Sequence, residues 1–103
     1  MRTPPLFLLA LMSDLKQIFE AAMSRLRLTG SRSAITQEQA LRLHALHLQA
    51  LHGDAASQRM TFADLDERSR HEAWIRLRGM SRDDAMRRYI AEVEDIFALQ
   101  RRA

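Results

Sequence analysis

The chain contains no cysteine, so neither disulfides nor thiolate metal sites hold it together. Its stability must come from an apolar core, and the lack of thiols suits a reducing compartment such as the cytosol. Valine is nearly missing. Val93 is the only one, and no stretch alternates cleanly between apolar and polar residues, so strands have no basis in the pattern. Glycine (3) and proline (2) are scarce, while the helix formers Ala, Leu, Arg and Glu abound. A length of 103 residues allows one small domain, and no repeat or low-complexity tract divides it.

Lysine is almost absent too. Lys16 is the sole one, and arginine carries nearly all the cationic charge behind a formal net of +3. A GC-rich genome accounts for much of such a bias, although the guanidinium fork is also suited to phosphate and carboxylate. The modest positive balance favours anionic partners without selecting among nucleotide, nucleic acid and membrane. Arg68, Arg76, Arg82, Arg87 and Arg88 are interspersed with acids and read as a solvated, salt-bridged surface. With few aromatics, all at core positions, nucleic-acid binding is not expected. Catalysis finds no support either. There is no cysteine nucleophile, no serine in a strand–turn–helix setting and no glycine-rich phosphate loop. His44, His47, His52 and His71 lack the accompanying carboxylate or cysteine spacing of a metal site, so no metal is expected.

At the N-terminus, Arg2 precedes the apolar run Leu6 to Leu11, which has the outline of a secretory signal. The run is far too short to span a bilayer and no small-x-small cleavage site follows. Residues 1–12 are therefore expected to be an extension, from an over-extended start or as an apolar arm packed on the domain, with residues 13–103 forming the domain.

Four helices are expected. The first starts at Ser13 as N-cap, with Asp14 at the positive end of the dipole, and buries Leu15, Ile18, Phe19, Ala22, Met23 and Leu26 along one stripe. The second opens with the capping pattern Thr36/Gln39 and runs to about His52. It is apolar on two sides, with Leu43, Leu46 and Ala50 on one and Leu41, Leu48 and Leu51 nearly opposite, as in a central or groove-lining helix. Gly53 stops it, and Met60 and Phe62 anchor the long crossover that follows. Asp64 and Glu67 cap a third helix ending at Arg78, with Leu65, Ala73, Trp74 and Leu77 inward. After Gly79, Ser81 and Asp84 cap a fourth, whose seam is Ala85, Met86, Tyr89, Ile90, Val93, Ile96 and Phe97. The fold class is all-α: a four-helix bundle with one longer crossover loop.

One run is more specific than the rest. Trp74 stands five residues before Gly79, followed by Ser81-x-x-Asp84-Ala85-Met86 and Tyr89-Ile90. Together with Phe19-Glu20-Ala21-Ala22 and Gln49-Ala50-x-x-Gly53-Asp54, this pattern resembles the acyl-CoA-binding protein family over about Leu15 to Phe97. The resemblance implies a non-catalytic carrier of long-chain acyl-coenzyme A esters, with the ester as ligand and no cofactor. The chain is further expected to be a cytoplasmic, bacterial monomer without stable membrane insertion. By position, Arg70 matches the family's phosphate-binding lysine, Arg27 a basic residue late in the first helix, and Tyr89 the tyrosine of the fourth.

In the second helix the family's Tyr-x-x-Tyr-Lys becomes His44-x-x-His47-Leu48. The two imidazoles, i and i+3 on one face, are candidates to replace the tyrosines against adenine and phosphate, making binding tighter at acid pH. Leu48→Lys would restore a charge-assisted bond. A working site requires Arg70 and Tyr89 to share one hollow. The alternative is a diverged helical module whose two-sided second helix docks a protein partner.

Overall fold

The computed structural model describes residues 6–28, 35–56 and 64–102. Four helices follow in order: α1 (Leu6–Leu28), α2 (Gln37–His52), α3 (Leu65–Ile75) and α4 (Arg82–Arg102). No strand occurs among the described residues. The fourth helix packs on both α1 and α2, and α2 packs in turn on α3. The core is accordingly centred on α4. Ala85, Tyr89, Val93, Ile96 and Phe97 meet Phe19 and Ala22 of α1 and Leu43, Leu46 and Ala50 of α2. Burial of these side chains is the main favourable term in folding.

The caps of α2, α3 and α4 follow the local rules. Thr36 accepts from the Gln39 amide while the Gln39 side chain accepts from the Thr36 amide, a complete capping box. Asp64 accepts from Glu67 N–H at 2.8 Å and Ser81 from Asp84 N–H at 3.0 Å. Gly53 ends α2 at φ 77° and ψ −149°, backbone that side chains other than hydrogen rarely adopt.

Three expectations are corrected. First, α1 does not begin at Ser13 but runs unbroken from Leu6. Leu6 to Met12 holds neither glycine nor proline, so nothing stops the helix from extending past a residue suited to capping. Second, Ile18 is 50% exposed and Leu65 75% exposed, because each lies at the edge of its stripe, turned from the α4-centred core. Third, α3 ends at Ile75 rather than Arg78. The next residues form tight turns, Leu77 N–H bonding Trp74 O and Arg78 N–H bonding Ile75 O, until Gly79 at φ 90°. The crossover anchors Met60 and Phe62 lie outside the described residues.

One polar cluster ties three segments together. The Gln49 side chain, fully buried, donates from Nε2 to Asp54 Oδ1 and to Met80 O, both at 2.8 Å. Its Oε1 accepts from Trp74 Nε1 at 3.1 Å, and the same indole N–H reaches Gly53 O at 2.9 Å. Asp54 Oδ1 also accepts from Gly79 N–H at 3.0 Å. These bonds, dominated by the Gly79 amide, hold the Asp54 carboxyl below the usual carboxylate range. Ion pairs elsewhere link helices at the surface, Arg42 to Glu92 at 2.7 Å and Arg25 to Glu94 at 3.0 Å.

Replacing Gln49 by Leu strands the Met80 carbonyl and is expected to cost about 1–3 kcal/mol, whereas Arg42→Ala, which opens a surface pair, should cost at most ~1 kcal/mol. Urea unfolding of both variants measures this. An Arg42→Ala loss equal to or larger than that of Gln49→Leu would refute the ranking.

Candidate functional site

The capping box at Thr36 sets the phase of α2, and that phase decides which of its residues look outward between helices. Residues three and four apart share a helical face. On α2 this places Leu43 and Leu46 in the core, with His47 at its margin and His44 beside it on the open side.

A hollow of about 590 Å³ opens there. Its walls are Glu20, Met23, Ser24 and Arg27 of α1, Leu43, His44 and His47 of α2, and Tyr89 of α4. Tyr89 is only 5% exposed, and its ring meets Phe19 edge-on at 5.1 Å. Burial pushes its phenol above the ordinary value, so the hydroxyl stays protonated. The His47 ring also meets Phe19 edge-on, with centroids 6.1 Å apart.

A second hollow of about 320 Å³ lies between α2 and α3, lined by Gln37, Leu41, Asp66, Ser69 and Arg70. Ala40 and His44 border both hollows. Each volume falls within the range of small-molecule sites, and the shared residues make them adjoining parts of one surface depression.

Arg27, His44, His47 and Tyr89 thus meet in one hollow, while Arg70 stands in its neighbour. Arg70 and Tyr89 line different hollows, against the expectation for a working site, so a carrier reading now requires one ligand that bridges both hollows across Ala40 and His44. The third helix packs on α2, so α2 stands between Arg70 and the buried Tyr89, and only His44 and Ala40 connect them. Leu48, half-buried, lines neither hollow.

Two carboxylates escaped sequence reasoning. Glu20 faces the first hollow and Asp66 the second. Helical spacing held the signal, since Asp66 precedes Arg70 by one turn and Glu20 precedes Arg27 by two. Among the described residues no group of acids and histidines could hold a metal ion, and no helix is long and apolar enough to cross a membrane.

A family model described as acyl CoA binding protein matches residues 16–93. The chain belongs to the acyl-CoA-binding protein family. An acyl-CoA-binding protein homolog of Manduca sexta is 35% identical over 86 residues, covering 82% of this chain and 93% of the relative. The acyl-CoA-binding protein of Saccharomyces cerevisiae is 36% identical over 61 residues, 59% of this chain and 70% of its own. The crystal structure of Oryza sativa acyl-CoA-binding protein 2 superposes with a TM-score of 0.78 at 26% identity, covering 86% of this chain and 97% of that one. The all-α bundle is therefore the fold of this acyl-CoA-binding family member, and its relatives are named as binding proteins rather than enzymes.

Both site imidazoles are held below the ordinary histidine value. Burial is the main cause for each, aided at His44 by Arg70 and at His47 by His52. The fold therefore favours the neutral rings, and the stability they contribute is complete above about pH 6.5 and lost as pH falls toward their folded-state values. Wild type should lose more melting temperature than a His44→Asn/His47→Asn variant between about pH 7.5 and 5.5. Equal losses in paired thermal melts would rule out this contribution.

Proposed function

We propose that this chain binds long-chain acyl-coenzyme A esters and carries them between other proteins without catalysis, in the cytoplasm and as a monomer. The observation that carries the reading is the pair of adjoining hollows on α2, each with one arginine, in a bundle of the acyl-CoA-binding family. Such an ester has a phosphorylated nucleotide, a long polar arm and an apolar tail, so it needs several subsites rather than one.

The arginines suit the phosphates, because a guanidinium donates charge-assisted bonds in a fixed fork. Arg70 is exposed at the edge of its hollow and Arg27 at the rim of the other, both reachable from solvent. Leu41 lines the second hollow and gives it an apolar contact for the tail.

Palmitoyl-coenzyme A at ~100 times its Kd should add about 2.7 kcal/mol of apparent stability, read as a rise in melting temperature. Arg70→Ala should weaken calorimetric affinity roughly ten- to a hundredfold, the worth of one charge-assisted bond. No thermal shift at high ligand excess, joined with dimerisation on a sizing column, would replace this reading with that of a protein-docking module.

Leu48 follows His44 by one helical turn, so a lysine stem there can reach past it toward the phosphate. Leu48→Lys is accordingly expected to tighten binding by about tenfold. An unchanged isotherm would place position 48 outside the ligand's reach.

A further inference from the structure

The charges lining the two hollows cancel. Glu20 faces the first beside Arg27, and Asp66 faces the second with Arg70. While the imidazoles are neutral, each lining carries one formal negative and one formal positive charge. A phosphate monoester arrives with roughly 1.5 to 2 negative charges near neutral pH. It would meet no net positive charge in either hollow, a poor match for an anion. Only a protonated histidine can change that sum at moderate pH.

His44 is the histidine placed to do so, because it alone among the titratable residues borders both hollows. We propose that His44, set between the Glu20–Arg27 hollow and the Asp66–Arg70 hollow, takes up a proton as a phosphate-bearing ligand docks, so that affinity rises on acidification. This inference rests on the acyl-coenzyme A reading above and adds a regulation to it.

The charged and titratable groups that share a hollow with His44 come from all four helices, and of these Arg70 and His47 act on it electrostatically. From α1 these are Glu20 and Arg27, and from α3 Asp66 and Arg70. Within α2, His47 stands one turn on, with His52 acting on His47 in turn. From α4 comes Tyr89, whose buried phenol stays neutral. In the free protein, burial, Arg70 and His47 all oppose a proton on His44. A docked phosphate reverses the balance, since an anion close to the ring favours the imidazolium. His47 is the weaker candidate. It borders the first hollow only and its ring is engaged with Phe19.

The sign follows from linkage. A group whose proton affinity is higher in the complex than in the free protein is protonated on binding. Affinity then rises as pH falls between the bound and free values, by at most about tenfold per pH unit for one proton.

Calorimetry of palmitoyl-coenzyme A with the full chain, in two non-phosphate buffers of different ionisation enthalpy, counts the protons exchanged. The ligand's own phosphate titrates near pH 6 in every protein, so the difference between wild type and His44→Asn isolates the histidine. Wild type should take up a fraction of a proton that His44→Asn lacks. Its affinity should gain at least about fivefold over that variant between about pH 7.5 and 5.5, with His47→Asn keeping most of the gain. Ring NMR titration of wild type should show His44 moving to a higher value on saturation, a readout independent of variant folding. Equal slopes for wild type and His44→Asn, or a gain abolished by His47→Asn instead, would overturn the assignment while leaving the carrier reading intact. A wild type that binds at no pH would remove both.

Discussion

The side chain of Gln49 is the constraint on which the placement of α3 depends. Fully enclosed, it joins Asp54, Met80 and Trp74, and so binds the end of α2, the turn after α3 and the approach to α4 into one unit. The third helix contributes no fully buried residue, so its own hydrophobic burial gives it little to stand on. It is instead hung from α2 through the Trp74 indole and the Gly79 amide. Arg70 rides on that helix. A polar knot therefore ties the helix that carries Arg70, and with it one wall of the second hollow, to α2.

The other half of the site is built from the core itself. Tyr89 lies on the seam of α4 and packs on Phe19, yet forms part of the first hollow's wall. The floor of that hollow cannot move without disturbing the α1–α4 contact, whereas the α3 side hangs on directional bonds that open locally at lower cost. One wall is held by apolar packing and the other by directional hydrogen bonds.

What the sequence made legible was local. Thr36 with Gln39, Asp64 with Glu67 and Ser81 with Asp84 satisfy amides three residues on, so helix starts are written within four positions. The α4 seam shows equally plainly, because period alone marks it. The start of α1 is different. A capping residue at Ser13 competes with seven helix-forming residues before it, and the longer helix wins. Gln49-Ala50-x-x-Gly53-Asp54 was visible as a pattern, but its meaning as a hydrogen-bond knot requires Trp74 and Met80, which lie 25 and 31 residues away. The division between Arg70 and Tyr89 was invisible for the same reason, since it depends on which helices pack on which.

The imidazoles set stability and binding against each other. Partial desolvation, with Arg70 acting on His44 and His52 on His47, means that protonating the free protein weakens it, while on the proposed reading the same protons would make the hollows attractive to an anion. In acid the unliganded chain is thus the form at a disadvantage, and a docked phosphate removes the disadvantage by supplying the missing negative charge. Tyrosines at these two positions would donate hydrogen bonds with no such cost, their phenols being neutral throughout the range in which histidine titrates. On the proposed reading, histidines at these positions would make the strength of the grip depend on the proton. The carboxylates Glu20 and Asp66 balance the formal charges of Arg27 and Arg70 in the two linings.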